Sequence, residues 1–174
     1  MEYIDIYDEN NNPLEKSKEK TQAHEEGDFH RTAHIWIINE NKELLLQKRS
    51  ANKVFYPNLW SIFVKGHIKS GESSIDACIR ELKEEIAINV KKEELIYIYT
   101  IKEEKTKNDY IERIFFDTYM VKKTFNLDDL VIQKEELSEI KLLSFNEILS
   151  LINNNNESLV PNFEDYKRLV KIIR

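Results

Sequence analysis

Residues 66–88 read GHIKSGESSIDACIRELKEEIAI, and the rest of the chain is best understood outward from them. The spacing predicts a helix starting near Ser73 or Ser74. At about 100° per residue, Ile75, Cys78, Ile79, Leu82 and Ile86 share an apolar stripe, while Glu81, Glu84 and Glu85 crowd another arc. Ser73 followed three residues later by Asp76 has the form of an N-cap, a capping box with Asp in place of Glu. Like charges one, three and four residues apart repel on a helix surface, and only Arg80, four residues before Glu84, relieves them locally. A hard divalent cation turns that repulsion into binding, because magnesium takes oxygen donors and bridges carboxylates to phosphates. Gly66 and Gly71 are two of only three glycines in 174 residues, which marks tight backbone geometry in the segment before the helix. A solvated helix with an acidic outer face is the plain alternative.

The complete pattern is more specific than an acidic helix. Gly66, Glu72, Arg80-Glu81-Leu82, Glu84-Glu85 and Ile88 stand at the spacings of the Nudix box, and the chain resembles a Nudix hydrolase. One position departs: Ala87 stands where the family has glycine. If the helix ends there in a left-handed turn, alanine costs on the order of 1 kcal/mol. The resemblance implies an α+β fold of α/β/α sandwich type with a mixed central sheet. It also implies one domain over residues 1–174, with an N-terminal extension over 1–30 and a C-terminal helix over about 162–174. Magnesium, with manganese as the alternative, would be held by Glu81, Glu84, Glu85 and the Gly66 carbonyl. Arg80 would orient Glu81 or Glu84, and Glu72, with Gly71 beside it, would anchor the loop to the helix. Glu84 is the local candidate for general base, with Glu104, Glu112 and Glu136 as remote ones.

A chain with 41% apolar and 10% aromatic residues can bury a sizeable core. Its net charge of −6 argues against bulk attraction to nucleic acid or anionic membrane, and leaves a phosphorylated small molecule open. Cys78 is the sole cysteine, so no internal disulfide forms, and its place on the stripe makes it a core residue. With no signal peptide and no apolar run of about 18 residues, the expected setting is cytoplasmic.

Along the chain, Glu2–Tyr7 alternates as a strand and Asp8–Pro13 is turn chemistry. A polar stretch to Asp28 has no assigned structure. Ala33–Ile38 and Glu43–Gln47 form a hairpin around 39–42. Trp60–Lys65, Leu95–Ile101, Tyr110–Val121 and Glu139–Phe145 are further strands, with a charged loop at 102–109. Phe145–Ile152 is a short helix, Asn153–Asn156 a loop, and Phe163–Ile173 a helix by its apolar spacing. Lys48, Arg49 and Lys53 stand directly ahead of the acidic helix, where a diphosphate clamp would lie. Trp36, Trp60, Phe63 and Tyr99 are read as core more readily than as base-stacking residues.

The segment before the box carries a second resemblance, to the isopentenyl-diphosphate isomerase-like branch of the superfamily. It runs through Asn12-Pro13, His24, His30, Lys48-Arg49, the Pro57–Trp60 turn and Gly66-His67. The branch implies a second metal on His24, His30 and His67 with glutamates from a later strand. Glu112 matches one of these, and Tyr110 stands in place of the other. It implies a diphosphate held by Lys20, Arg49 and Lys53. The branch's catalytic cysteine is Lys65 here, which speaks against isomerisation. The leading expectation is therefore magnesium-dependent hydrolysis of a nucleoside diphosphate linked to another moiety, with Glu81, Glu84, Arg80 and Glu112 as catalytic candidates. Isomerisation with a different acid, and a non-catalytic nucleotide- or diphosphate-binding module, are the alternatives. The partner is a small-molecule diphosphate, and an exposed strand or the last helix leaves a homodimer open.

Overall fold

The computed structural model describes residues 1–154, 156–161 and 163–173. They form two compact units. One holds Met1–Ile35, Val64–Glu84 and Ile88–Val121, and the other holds Trp36–Phe63, Glu85–Ala87 and Lys122–Arg174.

In the first unit, β1 (Tyr3–Tyr7) pairs antiparallel with β2 (Pro13–Glu19). Between them Asp8 Oδ1 accepts from the amides of Asn10 and Asn12 at 2.9 and 2.8 Å, an Asx turn that lets Asn11 sit at φ 67°. Helix α1 (Lys20–Glu26) follows, capped by the Glu19 carboxylate and closed by Gly27 in the left-handed region. Apart from Pro13, expected to close the turn, β2 and α1 lie in the polar stretch that had no assignment. Strand β3 (Phe29–Ile38) begins four residues before its expected start at Ala33, and β6 (Val64–His67) pairs antiparallel with it, Thr32 opposite His67 and His34 opposite Lys65.

Helix α2 (Ser74–Ile86) starts where the sequence places it, with the Asp76 amide donating to Ser73 Oγ at 3.2 Å. Cys78, Leu82 and Ile86 are buried along the expected stripe, joined by Ala77, and Ile75 and Ile79 are half-buried. The helix stops at Ala87, which takes φ 60°, and the Ile88 amide reaches back to the Leu82 carbonyl.

Strands β7 (Leu95–Lys107) and β8 (Tyr110–Lys122) form a long hairpin, and β8 also pairs with β3. The expected charged loop over 102–109 is therefore strand except at its two-residue tip. Its charges are carried outward on a half-solvated ladder, where Glu104 opposes and ion-pairs with Arg113 at 3.1 Å.

In the second unit, the end of β3 turns at Asn39–Lys42 into β4 (Glu43–Arg49), with Ile38 opposite Leu44. The Asn39 side-chain oxygen accepts from the amides of Asn41 and Glu43. Strand β4 is flanked by β5 (Trp60–Ser61) and β9 (Leu137–Ser144), both antiparallel to it, while Trp60 bridges Leu159 in parallel. The single strand expected over 60–65 is thus two. Ser61 Oγ accepts from the Phe63 amide at 3.2 Å and Gln47 donates to the Phe63 carbonyl, which takes Phe63 out of the ladder. Helix α3 (Phe145–Asn153) opens with a full capping box between Ser144 and Glu147, so Phe145 starts the helix rather than ending the strand.

Helix α4 (Phe163–Ile173) buries Tyr166 and Leu169 completely. The Tyr166 hydroxyl donates to the Val160 carbonyl, and its ring lies beside Phe63. This is the core role expected of the last helix. Positions 162 and 174, which its expected bounds included, and Asn155 of the expected loop lie outside the described residues. Strands in a mixed sheet together with helices make the fold α+β.

Candidate active site

Strand β6 delivers Gly66 to helix α2. A Cβ at residue 66 would overlap the Glu81 carboxylate, so the glycine is required by space. Gly71 is required by conformation: it takes φ 75° with nothing near the position of an added Cβ. Its amide donates to Asp5 Oδ2 at 3.0 Å and Ser70 Oγ to Asp5 Oδ1 at 2.7 Å, which fixes the loop to β1.

Arg80 connects the parts. Its Nε and Nη2 form a fork on Glu72, both at 2.8 Å, and Nη2 also donates to the His67 carbonyl at 2.8 Å. Nη1 donates to Glu81, and to Glu84 at 3.2 Å. Glu72 in turn accepts from the Lys69 amide at 3.0 Å. One guanidinium thus links the loop, the strand and two of the helix carboxylates through donors that only arginine carries in this planar arrangement. Burial pushes the Glu81 carboxyl above its ordinary value, Arg80 opposes that, and Glu84 and Glu2 add like charge. Glu84 is exposed. Glu85 is buried, and its carbonyl accepts from the Gln133 amide.

On β6 the side chains of Lys65 and His67 share a face. There His24 from α1, His30 from β3 and His67 bring one ligand atom each within 4.8 Å of one another. The ring centroids stand 4.6 to 5.2 Å apart. His24 Nδ1 lies 3.1 Å from the Ile111 carbonyl and His30 Nδ1 3.0 Å from that of Asp28. Both Nε2 atoms are then left with their lone pairs. Burial pushes all three imidazoles below their ordinary value, His30 to about 4. Glu112 is buried beside them. Burial raises its carboxyl, but Lys65, Lys105, His24 and His30 outweigh that and keep it lowered. Tyr110 stacks on His24 at 4.2 Å.

The other sequence candidates are engaged elsewhere. Lys20 pairs with Glu2 at 2.8 Å, Lys53 pairs with Glu136, and the buried Arg49 donates from Nε to the Phe55 carbonyl. Lys48 pairs with Glu139 at 2.7 Å and lies over Trp60. Trp36 and Phe63 are buried and face one another. Sequence reasoning missed Asp5 as the loop's anchor and Lys65 as the charge facing Glu112. The period of two along β6 pointed to Lys65 through His67, whereas Asp5 had no local signal.

A half-buried arginine fork organising glutamates against a strand glycine defines a class of carboxylate-rich sites suited to divalent cations. The NUDIX domain profile matches residues 28–163, and the chain belongs to the Nudix family. It is 33% identical over 181 residues to Nudix hydrolase 3 of Arabidopsis thaliana, covering 99% of this chain and 23% of that protein. The chain thus spans under a quarter of that relative's length. An uncharacterized Nudix hydrolase of Clostridium acetobutylicum is 35% identical over 156 residues, covering 88% of this chain and 75% of its own. Isopentenyl-diphosphate Delta-isomerase 2 of Photorhabdus laumondii is 29% identical over 156 residues, covering 88% and 83%. Among solved structures, the DR0079 protein of Deinococcus radiodurans superposes with a TM-score of 0.68 at 19% identity, over 99% of this chain and 98% of that one. The dihydroneopterin triphosphate pyrophosphohydrolase of E. coli superposes at 0.62 and 19% identity, over 82% and 94%.

Proposed function

We propose that the chain hydrolyses a diphosphate linkage in a nucleoside diphosphate joined to another group, with magnesium as its cation. The observation that carries this reading is the Arg80 network. It spends one cation on Glu72, Glu81, Glu84 and the His67 carbonyl, leaving a carboxylate group that is still net negative and lies against Gly66, where a Cβ would overlap Glu81.

That donor set fits magnesium. Glu81, Glu84 and Glu85 of one helix offer hard oxygens, and the Gly66 backbone can approach because no Cβ stands between it and Glu81. When bound, magnesium supplies charge neutralisation on the phosphate oxygens and acidifies a water molecule. Arg80 holds Glu81 and Glu84 in place through its Nη1 donors. The exposed Glu84 is the local group able to take a proton from the attacking water, and Glu112, whose carboxyl stays below its ordinary value despite burial because of the Lys65 and Lys105 charges, is a second candidate. Glu72 and Asp5 hold the loop. The ligand is a small molecule and the setting cytoplasmic, readings supported by the acidic charge and by the absence, among the described residues, of any helix long and apolar enough to cross a membrane.

The test is a panel of nucleoside diphosphate conjugates incubated with protein and magnesium, with phosphate release read after phosphatase treatment. Wild type is expected to turn over at least one of them, and Glu84→Gln and Glu85→Gln to lose that turnover. Activity surviving both substitutions would refute the assignment.

The histidine triangle supports a second cation site, separate from the carboxylates of α2. It also favours the isomerase reading as an alternative, which Lys65 in the cysteine's position opposes. Formation of dimethylallyl diphosphate from isopentenyl diphosphate would decide for it.

A further inference from the structure

We propose that the hollow lined by Met1, Glu2, Tyr3, Lys69 and Ser70 holds the nucleoside half of the substrate, with Tyr3 stacked on the base, Glu2 on the ribose hydroxyls and Lys69 on the adjacent phosphate. This rests on the hydrolase reading above and deepens it, from a diphosphate linkage to the group on one side of that linkage.

The hollow has a volume of about 410 Å³, in the range of small-molecule sites. Its walls are the start of β1 and the loop between β6 and α2, joined by main-chain bonds. The Ser70 amide donates to the Tyr3 carbonyl at 2.8 Å, and Ile4 bridges Lys69. Asp5 ties the same two segments through Ser70 Oγ and the Gly71 amide. Alternation along β1 sends Ile4 and Ile6 into the core and leaves Tyr3 49% exposed. The loop is also the one that delivers Glu72 to Arg80, with the Lys69 amide donating to the Glu72 carboxylate. Glu2 stands near enough to Glu81 to act on its carboxyl. The hollow therefore borders the carboxylates of α2.

The lining groups select the ligand. Lys20, Lys48 and Lys53 are spent on carboxylates, whereas the Lys69 ammonium makes no hydrogen bond or ion pair among the described residues and acts on Glu72 only through its field. It is a point charge ready for a phosphate oxygen. Glu2 gives Oε2 to Lys20 at 2.8 Å, and its other oxygen can accept from a sugar diol, as an acidic side chain does on the ribose of a dinucleotide. The exposed Tyr3 ring offers a face on which a base stacks. Aromatic ring, carboxylate and ammonium thus answer the base, ribose and phosphate of one nucleotide. An isoprenyl chain, the group of the isomerase alternative, would meet the charges of Glu2 and Lys69 where it needs an apolar wall.

Calorimetry on the full chain with magnesium tests this without turnover. The probes are the α,β-methylene analogues of ADP, GDP, CDP and UDP, set against methylenediphosphonate, which has the same bridge and no nucleoside. Wild type is expected to bind at least one nucleoside analogue about tenfold or more tighter than methylenediphosphonate. Tyr3→Ala loses about fivefold or more of the affinity for that analogue and leaves methylenediphosphonate binding unchanged, while Tyr3→Phe keeps both. Lys69→Met weakens the analogue about tenfold and flattens its salt dependence. Glu2→Gln removes the preference for the ribose form over the 2′-deoxy form. Equal wild-type affinity for methylenediphosphonate and every nucleoside analogue overturns the proposal, as does wild-type binding of the analogue by both Tyr3→Ala and Lys69→Met. Neither result touches hydrolysis, which is judged by turnover of the conjugate panel. Conversely, Tyr3-dependent binding of a nucleoside analogue by a chain that turns over none of that panel supports the nucleoside site and removes the hydrolase reading.

Discussion

Gly66 shows how much one residue's lack of a side chain can carry. The Glu81 carboxylate occupies the space where a Cβ would be, so Gly66→Ala must push that carboxylate away while leaving an extended strand residue that alanine tolerates. Circular dichroism and the melting profile are expected to change little, while kcat falls by about 10²-fold, the cost of a misplacement of about 1 Å in a positioned group. Arg80 gives the complementary case. Lysine keeps its charge but cannot fork onto Glu72 while also reaching His67, Glu81 and Glu84. Arg80→Lys should therefore lose activity nearly as fully as Arg80→Ala. Arg80→Ala, which leaves the half-buried Glu72 and Glu81 without their cation, should also cost about 1–3 kcal/mol in urea unfolding. Equal stability in Arg80→Ala and wild type would contradict this account of the network.

At the level of elements, the start and end of α2 are each held by a distinct device. Its C-terminus places Ala87 at φ 60°, strained for any residue with a Cβ. Ala87→Gly should raise stability by about 0.5–1 kcal/mol, read as a higher urea midpoint at unchanged m-value. Before its N-terminus, Glu72 ties the loop to Arg80. Burial raises the Glu72 carboxyl, but Arg80 and the Lys69 amide hold it below its ordinary 4.5. A carboxylate with a depressed folded-state pKa binds fewer protons folded than unfolded, so its stabilisation is full above about pH 4.5 and is lost as the pH falls below that. Wild type should exceed Glu72→Gln in stability at about pH 7, and the two should converge as the pH falls through the carboxyl's depressed folded-state pKa. A gap of constant size across that range would assign Glu72 a packing role only.

Elements differ in how plainly the sequence shows them, for physical reasons. Helix α2 announces itself through its apolar stripe, cap and fixed carboxylate spacing. The β3–β4 hairpin does so through apolar runs either side of Asn39–Lys42. Helix α1 does not: KTQAHEE buries only Ala23 and His24, so it has no apolar period, and Gly27 was its one usable signal. The exposed β2 has no buried face to generate alternation. Charge pairs along β7, with the Glu104–Arg113 pair across to β8, conceal a ladder inside what reads as a solvated loop.

For the whole molecule, the legible part of the site is the part carried on continuous chain. Gly66, Glu72, Arg80, Glu81, Glu84 and Glu85 lie within twenty residues, and their spacing alone expresses their geometry. His24, His30 and His67 meet only through the antiparallel register that sets Thr32 opposite His67 and through α1, so the isomerase-like resemblance had to supply what periodicity could not. The basic residues show the converse. Lys20, Arg49 and Lys53 read as one clamp along the chain but are engaged with Glu2, Phe55 and Glu136, so substrate must displace those partners or find others.

These charges also predict how the folded state responds to its cation. A folded chain of net charge −6, with Glu81 and Glu84 adjacent to one another in the field of Arg80, should gain stability from a divalent cation by mass action. At ten times the dissociation constant the gain is about 1.4 kcal/mol, or about 3–6 °C in Tm for a chain of this size. Sodium at equal ionic strength screens without binding and should move Tm much less. Glu81→Gln with Glu84→Gln should abolish the magnesium shift. A magnesium shift that persists in the double variant would move the cation away from α2 and with it the catalytic assignment.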